Sequence, residues 1–290
     1  MVDATVPSRT LPPNVEERFV EAGGVTFRYL RGGTPQGSGS PTPILFLHGY
    51  PAWAEVWLPL ADALGAGHPW IAPDLPCHNR SLPLPGKDRS LSAYRRAVVA
   101  LLDALALPRV IVVGSSMGGT LAVMLAIDRP TQVEKLVLVD AAGLVPKLPA
   151  KALRLYLPVL LPAYLRAPSA HGMTSLLQKA VFHDPRFADA DWVNTLVEQW
   201  RPRDQRLAYL ATGQALRRSD ASVAADLGRI ECPTLLVWGL QDPQFDWHIG
   251  ENAARQIRHA RFVPIEDAGH FPMVEKPAET ATAISAFLDT

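Results

Sequence analysis

Cysteine is nearly absent, with only Cys77 and Cys232 among 290 residues. Two thiols make no disulfide framework, and their separation fits no zinc site. Free thiols suit a reducing compartment. Net charge is absent as well, because 28 Lys+Arg balance 28 Asp+Glu. A neutral chain offers no electrostatic footprint for nucleic acid or an anionic membrane. No apolar run approaches the ~20 residues that cross a bilayer, so no stable membrane insertion is expected. The segment Met1–Pro13 has no basic region followed by an apolar stretch, and no secretory signal is read there. A cytoplasmic location is therefore expected. There is no G-x-G-x-x-G, no P-loop and no H-E-x-x-H. Asp74 and His78 alone would make a poor metal site. Neither a metal nor a cofactor is expected, and oligomeric state leaves no mark in the sequence.

What is present reads as a globular protein, 48% hydrophobic and 19% charged. At this length it is one large domain or a domain with an insertion. The 27 prolines help to mark where elements end. Residues 1–14 read as a loose arm, Glu17–Ala22 and Val25–Arg31 as a hairpin, and Gly32–Pro43 as a surface loop. Ile44–His48, Trp70–Asp74, Val110–Gly114, Val133–Asp140, Pro233–Gly239 and Arg261–Ile265 read as strands. Helical patterns separate them, one opening on the N-capping Ser90. Alternating strands and helices imply an α/β fold, a mostly parallel eight-stranded sheet flanked by helices. One stretch breaks the alternation. From 144 to 227 only helical patterns occur, including Asp191–Trp200 and Gln205–Arg217. Such an insertion is too long for a connection, so a helical cap over 144–227 is expected on a core of 1–143 and 228–290.

The chemistry begins at Gly114-Ser115-Ser116-Met117-Gly118, a G-x-S-x-G between a β-branched strand and a helix that stops before Pro130. A serine on that sharp turn needs glycine neighbours, and it stands beside the positive end of the helix. Serine is a poor nucleophile without a base in reach, and the base needs an orienting acid. His270 in Asp-Ala-Gly-His and Asp242 in Gly-x-x-Asp-Pro are the candidates. Asp140, closing an earlier strand, is the alternative acid; Asp246 is a third and reads better as a helix cap.

With these residues the chain resembles the α/β-hydrolase superfamily, from about Glu17 to Leu288. His48-Gly49-Tyr50-Pro51 resembles the segment that supplies an oxyanion donor. Asp74-Leu-Pro-Cys-His-Asn-Arg-Ser81 resembles an Asp-x-x-Gly-x-Gly-x-Ser loop, with Cys77 and Asn79 at its two glycine positions. The Asp242 and His270 loops follow in the order Ser, acid, His that this fold uses. The resemblance implies Ser116 as nucleophile, His270 as base, Asp242 as acid, and backbone N–H donors from Tyr50 and Met117. His48 is expected to hold the loop rather than react. His48, Trp53, Ser115, Leu157, Leu161 and Phe271 are the expected pocket residues.

Within that superfamily the chain most resembles capped carboxylesterases and small lipases, which implies a small-molecule ester as substrate. No Arg or Lys cluster flanks the catalytic loops, so a neutral, apolar substrate of small to medium size is expected. Hydrolases that split carbon–carbon bonds of vinylogous diketones share Ser-Met-Gly-Gly and stand as the alternative. Lactonase and perhydrolase chemistry would use the same triad. A slow-turnover ligand-sensing receptor is the alternative of another class.

Overall fold

The computed structural model describes residues 11–33, 41–150, 152, 169–200, 202–217 and 221–290. Eight strands form one sheet: β1 (Glu16–Ala22), β2 (Val25–Gly32), β3 (Ile44–Leu47), β4 (Trp70–Pro73), β5 (Val110–Ser115), β6 (Val133–Val139), β7 (Thr234–Gly239) and β8 (Ala260–Ile265). Their spatial order is β1-β2-β4-β3-β5-β6-β7-β8. The hairpin β1–β2 is antiparallel and β2 joins β4 antiparallel, whereas β3 to β8 run parallel. The sheet is therefore mixed at one edge and parallel through its centre. Strands β3, β5 and β7 are buried at every residue, which is why they read as unbroken apolar runs rather than alternating ones.

Helices α1 (Leu58–Leu64), α2 (Leu91–Ala104), α3 (Met117–Asp128), α7 (His248–Ala254), α8 (Pro272–Glu275) and α9 (Pro277–Leu288) belong to the sheet layers. In α2, Ser90 Oγ accepts the Ala93 N–H at 3.2 Å and closes the first turn. Helix α3 is apolar all round and buried along most of its length, as a helix in the middle of a domain must be. Between β6 and β7 the described residues hold α4 (Ala170–Ala180), α5 (Ala190–Gln199) and α6 (Arg203–Ala215). Among the described residues no helix is long and apolar enough to cross a membrane.

The chain passes from β3 to β4 on one side and then crosses to β5 on the other. The crevice between the carboxyl ends of β3 and β5 is thus a topological switch point, where open α/β sheets place their ligands. Ser116 follows β5 and Gly49-Tyr50 follows β3, one on each side of that crevice.

A charged cluster stiffens the edge nearby. Arg28 on β2 donates to Glu55 Oε1 and Oε2 at 2.8 and 2.9 Å, to Asp74 Oδ2 at 3.1 Å and to Glu17 Oε1 at 2.7 Å. Asp74 also accepts the Ala54 N–H at 2.9 Å. Its carboxylate is thereby engaged by a buried guanidinium and a backbone donor.

Candidate active site

Ser116 caps α3 with φ 51° and ψ −119°, a left-handed backbone that a non-glycine residue holds only under strain. Close approach explains the glycines around it. A Cβ on Gly118 would sit 2.0 Å from the Leu47 carbonyl oxygen, and one on Gly49 would sit 2.8 Å from Ser116 Cβ. Ser116 is 1% exposed, and its Oγ has no hydrogen-bond partner.

His270 lies in the loop between β8 and α8, with its backbone N–H donated to Val181 O at 2.8 Å. Its ring is 1% exposed, flanked by Phe245 and Phe271 at centroid distances of 5.5 and 5.4 Å. His270 Nδ1 lies 2.8 Å from Asp242 Oδ2. An ionised carboxylate can only accept, so Nδ1 carries the proton and Nε2 keeps a lone pair. That Nε2 is buried and also without a partner. Asp242 Oδ1 accepts the Gln244 N–H at 2.7 Å, which fixes the carboxylate from its other side.

Asp140, the alternative acid, is fully buried at the end of β6, where Oδ1 accepts the Gly239 N–H at 3.0 Å. Burial, and next the negative charge of Asp242, hold its carboxyl well above the usual range. One oxygen of each carboxylate and a ring nitrogen of His270 lie within 4.8 Å of one another. Asp140 thus sits beside the pair as the carboxyl harder to ionise, its oxygen held by the Gly239 N–H, whereas Asp242 bonds the histidine. Asp246 Oδ1 accepts the His248 N–H at 3.0 Å at the start of α7.

His48 links two loops. Its Nε2 accepts the Leu75 N–H and its Nδ1 donates to Gly49 O, each at 2.8 Å. Burial lowers its pKa to about 4, so the ring stays neutral. Cys77 and Asn79 take φ of 70° and 44°, the backbone region glycine would fill at those two positions. Met117 is the first residue of α3, and its N–H has no carbonyl four residues back within the helix. Tyr50 lies on the facing loop, and its phenol donates to Tyr209 O at 3.2 Å.

A cavity of about 350 Å³ opens on Ser116 and Met117. Leu91, Val145, Leu148, Leu216 and Phe245 give it an apolar wall, and Lys147 and Arg217 also line it. His48, Trp53, Ser115 and Phe271 are not among its lining residues. Trp53 and Phe271 instead pack on Trp192, at centroid distances of 4.6 and 6.0 Å. Leu157 and Leu161 lie outside the described residues. Lys147 and Arg217 stand 70 positions apart in sequence, so no cluster is visible until the chain folds.

Residues 42–277 match the family described as the alpha/beta hydrolase fold, and the chain belongs to that family. Monoacylglycerol lipase abhd6-A of Xenopus laevis is 27% identical over 285 residues, covering 95% of this chain and 83% of that protein. A 2-hydroxy-6-oxononadienedioate/2-hydroxy-6-oxononatrienedioate hydrolase of Pseudomonas sp is 28% identical over 247 residues, 82% of this chain and 84% of its own. Among solved structures, a membrane phospholipase A described as a bacterial virulence factor has a TM-score of 0.83 at 28% identity, covering 95% of this chain and 86% of that one.

Proposed function

We propose that this chain is a serine hydrolase of carboxylic esters whose acyl or alcohol part is largely apolar. The observation that carries the reading is the His270–Asp242 bond, with Ser116 Oγ and His270 Nε2 both buried and unpartnered and with Ser116 lining a largely apolar cavity. Ser116 Oγ attacks the acyl carbon as Nε2 takes its proton, and Asp242 stabilises the imidazolium. The tetrahedral oxygen gathers negative charge between the N–H groups of Met117 and Tyr50. Collapse expels the alcohol, which leaves with the proton from Nε2. Water then gives a proton to Nε2 as it attacks the acyl-enzyme. Collapse of that intermediate breaks the acyl–Oγ bond while Nε2 returns the proton to Ser116 Oγ, releasing the carboxylic acid.

Residues 144–227 act in this reading as a cap on a core of 1–143 and 228–290. Glu275 supports it by accepting the N–H groups of His183 and Asp184 at 2.8 and 2.9 Å, and that of Gly269 at 2.8 Å. One carboxylate thereby ties the end of α4 to the histidine loop. A reducing, cytoplasmic setting belongs to the same reading and suits the free thiols of Cys77 and Cys232.

The test is hydrolysis of p-nitrophenyl esters over a range of acyl lengths, with wild type beside Ser116→Ala. Multiple-turnover release that Ser116→Ala loses is the expected result. The similarity to the Pseudomonas hydrolase favours a second reading, cleavage of a carbon–carbon bond in a vinylogous diketone by the same residues. Turnover of such a diketone, with no ester cleaved, would select that reading instead.

A further inference from the structure

The cavity beside Ser116 has a charge imbalance that hydrolysis of a neutral ester does not use. Its lining includes Lys147 and Arg217 and, among the described residues, no Asp or Glu. Neither side chain has an ion-pair partner among the described residues, whereas most arginines of the surface do. Arg217 is half-buried, and its Nε is shut off from solvent with no hydrogen-bond acceptor. Lys147 is exposed, so its part of the wall meets solvent, while Ser116 is buried.

A buried guanidinium N–H with nothing to donate to is costly; Arg80 and Arg89 carry one too, but only that of Arg217 belongs to a residue lining this cavity, where a ligand can supply the acceptor. A guanidinium and an ammonium on one wall suit a carboxylate or a phosphate, the first through a two-pronged contact and the second as a point charge. Ser222 and Thr120, also in the lining, already donate their hydroxyls to backbone carbonyls, so apart from Ser116 the side-chain donors left for an anion are the two cations. Leu148, Val145, Leu216 and Phe245 give the same cavity an apolar wall.

We propose that the substrate is an amphiphilic ester bearing an anionic group, carboxylate or phosphate, which Arg217 and Lys147 receive at the end remote from the bond that Ser116 attacks. The proposal rests on the ester-hydrolase reading for where the carbonyl lies, but the anion site itself does not need turnover.

Binding to Ser116→Ala separates the two claims. Calorimetric titrations would compare monomethyl with dimethyl diesters of α,ω-diacids of about four to ten carbons. A second arm compares a monoacylglycerol phosphate with the monoacylglycerol of the same chain. The charged member of at least one pair is expected to bind about tenfold tighter, an advantage that high salt shrinks. Adding Arg217→Gln should remove most of that advantage, Arg217→Lys should keep part of it, and Lys147→Gln with Arg217→Gln should abolish it. A preference in the first pair alone assigns a carboxylate; a preference in the second alone assigns a phosphate. Equal affinity within both pairs, or a preference that survives the double substitution, overturns the proposal. If the charged ligands bind tighter while wild type cleaves no ester, the anion site stands and the ester reading falls.

Discussion

His270 Nδ1 and Asp242 Oδ2 meet at 2.8 Å with both side chains sealed from solvent. The bond sets the histidine tautomer that leaves Nε2 basic. Asp242→Asn keeps the shape and removes the negative charge, and is expected to lower kcat by on the order of 10⁴. Asp140 accepts the Gly239 N–H, a role that an asparagine oxygen can keep, so in Asp140→Asn kcat should stay within about tenfold. Steady-state kinetics of the two variants decide the matter. A large loss in Asp140→Asn with little in Asp242→Asn would transfer the acid role to Asp140.

Gly49 touches the nucleophile's own Cβ position. Gly49→Ala would bring a Cβ to 2.8 Å from Ser116 Cβ and 3.3 Å from Ser115 O. Overpacking of this kind costs about 1–3 kcal/mol, and here it also displaces the serine, so activity should fall together with Tm. Gly67 has open space around its Cβ direction and no positive φ. Gly67→Ala should shift stability by less than about 0.5 kcal/mol. Thermal melts of the pair check both statements.

Buried histidine should make stability depend on pH. The His48 pKa is lowered to about 4 by burial, and that of the adjacent His78 is also lowered, by burial first and then by His48. A depressed folded-state pKa means that the unfolded chain binds the proton first, so this contribution is complete above about pH 6.5 and is lost on acidification toward 4. Asp140, whose carboxyl is pushed up by burial, acts with the opposite sign. The informative quantity is therefore the gap between wild type and His48→Gln. In urea titrations that gap should close by about 2 kcal/mol from pH 7.5 to pH 5. A gap independent of pH would contradict the neutral, buried assignment.

Arg28 holds two carboxylates that are themselves buried, Glu55 and Asp74. Arg28→Met would leave both without their cation and should cost about 3–5 kcal/mol in chemical denaturation. Arg18, which pairs with Glu16 in an exposed position, is the control. Arg18→Met should change stability by less than about 1 kcal/mol.

Much of the fold is legible in the sequence because buried parallel strands are continuous apolar runs and the turns between them carry glycine and proline. The hairpin expected at Glu17–Ala22 and Val25–Arg31 is present at Glu16–Ala22 and Val25–Gly32. The positions of Ser116, Asp242 and His270 follow from their places just beyond strands β5, β7 and β8. Pocket residues are harder, because they are set by how distant segments return to one another. Lys147 and Arg217 carry no local signal, nor does Phe245, which both lines the cavity and packs on His270. Trp53 reads in sequence as a pocket aromatic, and in the fold its ring lies against Trp192. Arg28 gives no hint in sequence of contacts to Glu17, Glu55 and Asp74, which lie 11, 27 and 46 positions away.

The most direct test of Ser116 as the nucleophile is covalent labelling with an alkyl p-nitrophenyl phosphonate, whose phosphorus stands in for the acyl carbon. Peptide mass mapping should find one adduct per chain, on Ser116, and labelling should be strongly slowed in His270→Ala. An unlabelled protein, or an adduct on any other residue, would contradict the assignment.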